Sequence, residues 1–570
     1  MKDRIIEIEK NLDKKVVELS IYKESFQSIY SVLLFTAESI DFKGDVDTAM
    51  DYLGRTSLIY PIIKKYAQNS GTETTTQSIL KTGSIEYLED INFLIAYAHF
   101  SMLMPQIHRG TLEVKSIKQN KIKIDFPNES VKESELIDKL YSTISLPITF
   151  SYKEKEKIKT HTDLKAKNRD YTICDKDFHL IKEIYNYHIK FSINIEVLPD
   201  ELIESKIGFS NVEFRNFVAA LKSFSEYFIF LSRSYKEQIN DKNSAEENDK
   251  LMSEYMEWSV CCLNYKTLGW FIAISGIEQN KFDLILSYFI DIYSNNTGVN
   301  FKSNSFTGEG YQPPITIIDE SILFSPHALR YLLSFNNVLY SINKNDKKLF
   351  NNEISDKLEP VLIKQLKYLF SRFDKLELKE NVNYPGSEID LLVLSKDEKV
   401  CLSIQVKTTI APDSSRTVAR VEDRTNEAFK QIEKFEKLTS KEQLKLINNA
   451  FQSELDEIKI INLILVRSSA GSDKGWEINN TYRILNYSML ARILCNKLES
   501  DDRKFSNFDD QILEKQKELI DNSNWGVDYE TLKIGEFEIE FPNIHFEDKK
   551  ILTEHIKTFK CYPKIETAKH

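Results

Sequence analysis

The chain has 570 residues, which is more than one ordinary domain holds and predicts several structural units. Hydrophobic residues make up 41% of it and charged residues 29%, which is typical of a globular protein and excludes a disordered one. The net charge of −11 excludes a uniformly basic protein. Residues 351–500 are nevertheless neutral, with 23 Lys and Arg against 23 Asp and Glu, so charge alone decides neither for nor against a nucleic-acid partner.

The sequence lacks the patterns typical of zinc-binding, membrane-spanning and secreted proteins. No group of cysteines and histidines has zinc-binding spacing. No apolar run reaches the roughly 20 residues of a membrane span, so no membrane partner is expected. The first residues, MKDR, lead directly into a charged helical pattern without a signal peptide. We therefore expect a cytoplasmic protein with reduced cysteines.

The first periodic signal lies within residues 5–33. Apolar residues recur there in steps of three and four, with Lys15 in one apolar slot, at Ile5, Ile8, Leu12, Leu19, Tyr22, Phe26, Ile29 and Leu33. This spacing predicts either a coiled-coil interface with a second copy or a long helix that packs on its own chain. Residues 1–110 are thus predicted to form a helical N-terminal region with a heptad-like first helix.

Four further segments are predicted. Alternating apolar residues flank Gln119 and Asn120, which indicates a β-hairpin in an α+β segment at 111–177. A helical domain is expected at 178–345, an α/β core at 346–500 and an α+β extension at 501–570. Two similar segments, KIKIDFPN at 121–128 and FEIEFPN at 537–543, are too short to count as a repeat. The expected class is α+β multidomain, mainly α-helical in the N-terminal region.

The pattern changes between residues 353 and 470. A helix at 353–373 precedes strands at 376–379, 386–394 and 400–408, a helix at 424–438 and an apolar strand at 460–466. A turn at 395–399 places Asp390 opposite Ile404 or Gln405, and alternation along the strand puts Gln405 and Lys407 on one face. Burying such polar groups unpaired costs about 1–3 kcal/mol each, so their presence in otherwise apolar strands suggests a functional role.

Phosphodiester hydrolysis is a reaction that would use polar residues in this arrangement. It needs a hard cation held by oxygen ligands, which polarises the phosphoryl group and activates water. Lys407 is expected to orient the water or to stabilise the developing negative charge. The candidate metal ligands are Asp390, the Gln405 side-chain oxygen, the Val406 carbonyl, Glu359 on the preceding helix, and Glu388 beside Asp390.

The run PGSEIDLLVL followed by LSIQVKTT resembles the signature of the PD-(D/E)XK nuclease superfamily, in the form found in Holliday-junction-resolvase-like and Mrr-like restriction endonucleases. The resemblance covers about residues 353–470. It implies a restriction-endonuclease-like α/β core with a central mixed sheet, dependence on Mg²⁺ or Mn²⁺, and catalytic roles for Asp390, Gln405, Lys407 and Glu359. Gln405 stands where the family usually has Glu or Asp, as in the QxK variant of some Mrr-like members. The missing charge shifts metal binding toward Asp390, Glu359 and Glu388.

Candidate nucleic-acid contacts follow this hairpin. Arg416, Arg420 and Arg424 are spaced four apart, so they form a basic stripe or an ordinary charged face if the segment is helical. Gln431 and Lys434 belong to the element QIEKF, which resembles the Gln-x-x-x-Tyr element of some relatives with Phe in place of Tyr.

The expected function is Mg²⁺-dependent endonucleolytic cleavage of DNA in bacterial restriction or anti-phage defence. The large region before the core suits target recognition or the docking of a partner protein. Cutting both strands needs two sites, so we expect a homodimer or a larger homo-oligomer. Two alternatives stay open: a nuclease for RNA or single strands, and a catalytically degenerate DNA-binding or scaffold protein.

Overall fold

The structure is a computed structural model that describes residues 1–42, 46–68, 73–145, 155–191, 198–294, 301–306, 311–410, 415–467, 469–476, 479, 481–500 and 503–546. Its strands are β1 (Glu113–Lys118), β2 (Lys121–Asp125), β3 (Cys261–Asn264), β4 (Ile290–Ser294), β5 (Ile315–Ile318), β6 (Ser321–Phe324), β7 (Leu376–Tyr384), β8 (Ser387–Ser395), β9 (Val400–Lys407), β10 (Lys459–Val466), β11 (Arg483–Asn486), β12 (Trp525–Ile534) and β13 (Phe537–Phe546).

The helices dominate the first two thirds of the chain, as predicted. They are α1 (Lys2–Val16), α2 (Phe26–Phe42), α3 (Val46–Tyr66), α4 (Thr75–Thr82), α5 (Leu88–Arg109), α6 (Glu129–Ser145), α7 (Lys155–Lys167), α8 (Asp175–Phe191), α9 (Asp200–Leu202), α10 (Asn211–Glu237), α11 (Ala245–Ser259), α12 (Leu268–Ser275), α13 (Gln279–Leu286), α14 (Pro326–Tyr331), α15 (Phe335–Asn345), α16 (Lys347–Leu349), α17 (Ser355–Phe370), α18 (Ser415–Glu436), α19 (Ser440–Phe451), α20 (Asp473–Trp476), α21 (Tyr487–Glu499) and α22 (Phe508–Asp521).

The apolar seam of the first helix is covered by its own chain. α1 ends at Val16 and α2 begins at Phe26, so the periodic residues at 5–33 do not form one continuous helix. Ile5, Ile8 and Leu12 are at most 2% exposed and pack in one hydrophobic cluster with α5 and the strands β1 and β2. The seam is thus buried within the chain, which favours packing on its own chain over a coiled-coil interface with a second copy.

A four-stranded sheet with the order β1-β2-β13-β12 brings distant parts of the chain together. The predicted hairpin is present, since β1 and β2 pair antiparallel on either side of Gln119 and Asn120. Gln119 has a φ of 54°, in the left-handed region that tight hairpin turns use. The segments 111–177 and 501–570, which the sequence predicted as separate units, therefore share one sheet.

The two similar segments at 121–128 and 537–543 are neighbours in this sheet. β13 runs parallel to β2, with Ile539 opposite Ile122. Their similarity reflects a shared alternation in which the apolar residues face the core and the charged residues face solvent. The charged residues are complementary and form ion pairs at 3.1 Å for Lys121–Glu538 and 2.9 Å for Lys123–Glu540.

A second four-stranded sheet, ordered β3-β6-β5-β4, lies in the region 178–345 that the sequence predicted as helical. Its strands have four or five residues, and β5 is buried along its whole length. Runs so short and so apolar show no period of two, so the sequence does not distinguish them from buried helix. The sheet packs against the long helix α10 and the other helices of this region in the largest hydrophobic cluster.

The third sheet contains the hairpin singled out from the sequence. Its order is β11-β10-β9-β8-β7, with antiparallel pairing from β7 to β9 and parallel pairing from β9 to β11, so it is mixed, as predicted. Alternate residues of β8 enter two clusters. Leu391 and Val393 pack with α17 and α21, and Leu392 and Leu394 pack with α18 and α19. Helices therefore cover both faces, and the predicted strands and helices of 353–470 are present with shifted bounds.

Asp138 on α6 connects the N-terminal part of the chain to this third sheet. Its carboxylate accepts hydrogen bonds from Ser469 Oγ at 2.9 Å, the Ala470 amide at 3.1 Å and Trp476 Nε1 at 2.9 Å. These three groups belong to the segment 469–476, which follows β10 and includes α20. Burial raises the pKa of Asp138 to about 6, although the hydrogen-bond donors act in the opposite direction.

Two further expectations concern membrane-spanning helices and the oxidation state of the cysteines. Among the described residues, no helix has both the length and the apolar composition needed to cross a membrane. Cys174, Cys261, Cys262 and Cys401 are free thiols, as expected. Cys495 is disulfide-bonded, so the expectation of reduced cysteines is wrong at that position.

The parallel junction between β13 and β2 predicts a large effect for a small truncation. Ile539 is fully buried there, so Ile539→Ala should lower the free energy of unfolding by about 2–4 kcal/mol through lost contacts and the cavity left behind. Urea denaturation followed by circular dichroism measures this loss. The matched control is Glu538→Ala, which removes only an exposed ion pair and should change the free energy of unfolding far less. Equal losses in both variants would contradict the assignment.

Asp138 predicts a pH dependence of stability. Its folded pKa of about 6 lies above the ordinary value of 3.8, so folding favours the protonated form. The resulting stabilisation is complete below about pH 4 and is lost as the pH rises through about 6. Relative to Asp138→Asn, the unaltered chain should therefore lose roughly 1–3 kcal/mol of unfolding free energy between about pH 4 and 7. Urea denaturation at both pH values tests this, and a difference that does not change with pH would refute it.

Candidate active site

The candidate site lies where the backbone pairing of the β8–β9 hairpin stops. The last paired residues are Leu391 and Ile404, and this register places Asp390 opposite Gln405. Beyond that pair, hydrogen bonds from side chains to the backbone take the place of the backbone–backbone hydrogen bonds. Asp390 Oδ2 accepts a hydrogen bond from the Val406 amide at 2.6 Å, and Gln405 Nε2 donates to the Glu388 carbonyl at 2.9 Å. The polar residues therefore hold the two strands together at the point where they separate.

Lys407 and Glu359 complete the group. Lys407 ends β9, and its Nζ lies 3.9 Å from Asp390 Oδ2. Glu359 reaches the same ammonium group from α17, at 3.4 Å from its Oε1. Asp390, Gln405 and Lys407 are at most 9% exposed, whereas Glu359 is half-buried. The structure thus brings together the four residues that the sequence singled out as catalytic.

The electrostatics of Asp390 reflect its crowded surroundings. Burial raises its pKa to about 6, while Lys407 and the Val406 amide lower it. Glu359 and Glu388 add further negative charge and raise it again. Several carboxylates thus compete for one lysine in a poorly hydrated place. A bound cation would remove this conflict, because it favours the ionised form of each carboxylate around it.

The oxygen atoms of the site fit a hard cation. Gln405 Oε1 is buried and has no hydrogen-bond partner among the described residues, although the amide nitrogen of the same side chain has one. An unpaired buried oxygen costs about 1–3 kcal/mol, so a ligand for it would be stabilising. Asp390 supplies a carboxylate beside it. In the described part of the chain, however, no three His, Cys, Asp or Glu side chains come close enough to form a metal site by themselves, so the amide oxygen would be an essential ligand.

The other predicted ligands are placed less directly. Glu388 is exposed, and its backbone carbonyl, not its carboxylate, makes the contact to Gln405. Its carboxylate acts on Asp390 through charge. The Val406 amide is engaged by Asp390, and Val406 itself pairs with Leu465 of β10.

The predicted nucleic-acid contacts all lie on α18, which begins earlier than expected, at Ser415. Arg420 is exposed, and Arg424 forms an ion pair with Glu427 at 2.8 Å. The side chain of Arg416 lies outside the described residues, and Lys434 is exposed. Acidic residues alternate with the basic ones along this face, so α18 presents a mixed charged face and not a purely basic stripe.

Gln431 is held through its backbone. Its carbonyl accepts a hydrogen bond from the Tyr384 hydroxyl at 2.6 Å, and Tyr384 packs edge-on against Phe435, with ring centroids 5.5 Å apart. Gln431 Oε1 is buried without a hydrogen-bond partner. The sequence analysis missed Tyr384, which ends β7 next to the Pro-Gly turn and ties α18 to the hairpin. An aromatic side chain at the end of a strand predicts a contact with the core, and nothing in the sequence marks it as part of a functional site.

Arg467 is a second residue that the sequence analysis missed. It follows Val466, the residue of β10 that pairs with Lys407. Burial lowers the pKa of its guanidinium to about 10, and no described residue forms a hydrogen bond or ion pair with it. Its position after β10 could have predicted this, because the carboxyl ends of parallel strands meet at one edge of a sheet, where Lys407 also lies.

The unpaired Gln405 oxygen predicts how Gln405→Glu should behave. Without a metal, a fourth carboxylate beside Asp390, Glu359 and Glu388 should lower the melting temperature, and its oxygen would also face the Glu388 carbonyl. With Mg²⁺ the added charge becomes favourable, so the rise in melting temperature on adding Mg²⁺ should exceed that of the unaltered chain by roughly 1 °C, which corresponds to about 1 kcal/mol for a chain of this length. Calorimetry in EDTA and in Mg²⁺ measures both values.

Gln452→Glu provides the control for this measurement, since Gln452 is an exposed residue directly after the end of α19. Its melting temperature should respond to Mg²⁺ as that of the unaltered chain does. A Gln405→Glu variant whose melting temperature is indifferent to Mg²⁺ would contradict a metal at this position.

No family model, no curated protein and no solved structure matches this chain. The membership of residues 353–470 in the PD-(D/E)XK superfamily therefore stays a prediction. The case for a reaction at this site depends on the local geometry: a buried carboxylate, an unpaired amide oxygen and a lysine at the end of a splayed hairpin.

Proposed function

We propose that the chain is a metal-dependent endonuclease that hydrolyses phosphodiester bonds of DNA at Asp390, Gln405, Lys407 and Glu359. The observation that carries this proposal is the buried, unpaired Gln405 Oε1 next to the Asp390 carboxylate, within a site that also holds an ammonium group. Oxygen ligands beside a lysine suit phosphoryl chemistry, which needs charge stabilisation on several oxygens at once.

Each residue has a distinct role in this proposal. Asp390 and Gln405 hold Mg²⁺ or Mn²⁺, with Glu359, Glu388 and the Val406 carbonyl as further oxygen donors. The cation would polarise the phosphoryl oxygens and lower the pKa of the attacking water. Lys407 stabilises the negative charge that develops on the phosphate or orients that water.

Glu359 positions Lys407 in addition to donating oxygen. The 3.4 Å contact holds the ammonium group toward Asp390, at the mouth of a site whose other members are nearly inaccessible to water. A buried, oriented cation acts more strongly on a phosphate than an exposed one, because the low local dielectric screens it less. Arg467, which forms no ion pair with a described residue, would contact a neighbouring phosphate of the strand from the same sheet edge.

The alternatives give different outcomes in the same experiment. The Gln405–Glu388 hydrogen bond supports a degenerate, binding-only domain, because a glutamine that holds two strands together needs no metal. A nuclease for RNA or single strands would share the site and differ in substrate. We keep DNA as the proposed substrate, and bacterial restriction or anti-phage defence in the cytoplasm as the proposed setting.

Assembly is part of the proposal. Cleavage of both strands needs two sites, so we propose a homodimer or larger homo-oligomer that uses a surface other than the buried seam of α1. The helical N-terminal region is the proposed place for target recognition or for a partner protein, since it contributes no residue to the candidate site.

The decisive prediction concerns cleavage. Purified protein with Mg²⁺ or Mn²⁺ should cleave plasmid DNA, and Asp390→Ala or Lys407→Ala should lower the rate by at least about 100-fold, because each removes charge stabilisation of the transition state. Matched controls are Asp397→Ala and Lys396→Ala in the exposed turn of the same hairpin, each of which has only a surface ion pair. Both controls should cleave at the rate of the unaltered chain.

Parallel substrates decide between the alternatives. Linear duplex DNA, single-stranded DNA and RNA are offered under the same conditions, and a clear preference for RNA or single strands would replace DNA as the substrate. Cleavage that persists in Asp390→Ala and Lys407→Ala would refute the site. Metal-independent binding of DNA without cleavage of any substrate would establish the scaffold alternative.

A further inference from the structure

A second candidate site lies away from the hairpin, in the pocket between α12 and α13. Its volume of about 510 Å³ falls within the roughly 300–1,000 Å³ typical of small-molecule sites. Leu286 and Ile290 lie at its buried base, and the segment 301–304 forms one wall. None of the residues that line it belongs to the candidate active site.

The wall at 301–304 is held in place by its own hydrogen bonds. The Asn304 amide donates to the Ser287 carbonyl at 2.7 Å, and Asn304 Nδ2 donates to Ser287 Oγ at 2.8 Å. Ser303 Oγ donates to the Ile290 carbonyl at 2.7 Å. These bonds fix the neighbouring Phe301 at the pocket, so the pocket exists before any ligand arrives.

Half-exposed apolar side chains line part of this pocket. The rings of Tyr265 and Phe301 meet edge to face, with centroids 6.1 Å apart. These rings, together with Ile272 and Leu284, pack against the largest hydrophobic core but stay partly exposed. Apolar surface left in a concavity favours a ligand that covers it, and a flat aromatic ring can stack on either ring.

Unpaired positive charges line the same pocket. Lys266 and Lys302 are exposed, and neither forms an ion pair or a side-chain hydrogen bond with any described residue. A groove of similar size at the first sheet, lined by Trp525 and Tyr529, differs in this respect. Its lysines are already neutralised, in the ion pairs Lys115–Glu113 and Lys132–Glu129. The pocket between α12 and α13 is therefore the one of these two that has free charge for an anion.

The polar groups of α13 limit the charge of that anion. Gln279 and Asn280 offer amide groups, and Asp283 offers a carboxylate one turn further on. With Lys266 and Lys302, the lining carries about one net positive charge. A single phosphate matches this charge better than a triphosphate, and the amides and the carboxylate suit the amino and hydroxyl groups of a base and sugar.

We propose that this pocket binds a nucleoside monophosphate unit, either as a free mononucleotide or as the phosphorylated end of a nucleic-acid strand. Lys266 and Lys302 contact the phosphate, and the base stacks on Tyr265 or Phe301. The proposal does not depend on cleavage at the hairpin, because the two sites share no residue.

Titration calorimetry of the full-length chain in EDTA tests the proposal, since metal binding at the hairpin is then absent. The probes are AMP, adenosine, inorganic phosphate and a 5′-phosphorylated hexanucleotide. AMP or the hexanucleotide should bind with a dissociation constant below about 1 mM, and adenosine and phosphate at least about 10-fold more weakly. AMP as the tighter ligand identifies a free nucleotide, and the hexanucleotide as the only ligand identifies a strand end.

Variants locate the binding. Lys266→Ala combined with Lys302→Ala should weaken the nucleotide about 10-fold or more, and Phe301→Ala should weaken it about 5- to 100-fold through lost stacking. The matched control combines Lys115→Ala with Lys132→Ala and should change affinity less than about twofold. Unchanged melting temperatures show that the variants fold. No saturable binding up to about 5 mM, equal binding of phosphate and AMP, or unchanged affinity in the Lys266/Lys302 variant would overturn the proposal.

Discussion

The hydrogen bond from the Val406 amide to the Asp390 carboxylate is the contact on which the candidate site depends. It occurs where the β8–β9 backbone ladder ends, so a side chain does what a carbonyl does elsewhere in the hairpin. Gln405 makes the matching contact to the Glu388 carbonyl. Without these bonds the splayed strands would leave buried polar groups unpaired, at a cost of about 1–3 kcal/mol each. The residues that hold the two strands together where the ladder ends are thus also those available to a ligand.

This dual role explains the unfavourable electrostatics of the site. Asp390 is buried close to Glu359 and Glu388, and its pKa rises to about 6 as a result. Such a group lowers stability at neutral pH unless something compensates for it, and Lys407 compensates only in part. Strongly shifted pKa values of this kind are common where a protein binds or reacts with a ligand. It is the physical basis for treating the hairpin as a site and not only as a packed element of the core.

The rest of the chain is connected to the third sheet by contacts between residues far apart in sequence. β13 closes the first sheet against β2, and Asp138 holds the segment after β10. Arg467 directly follows the residue of β10 that pairs with Lys407, and it forms no ion pair with a described residue. The pocket between α12 and α13 lies apart from this connection.

The sequence by itself indicated the elements of residues 353–470 and limited Asp390 to two opposing positions, Ile404 or Gln405, because strand alternation and the 395–399 turn restrict the hairpin register. Asp390, Gln405 and Lys407 could be placed together on that basis. Tertiary structure alone decided the rest: α1 buries its seam against α5, the segments at 121–128 and 537–543 become neighbouring strands, and short apolar runs at 290–324 form a sheet. Each of these outcomes depends on which distant surface covers an apolar face, and periodicity within a segment carries no information about that partner.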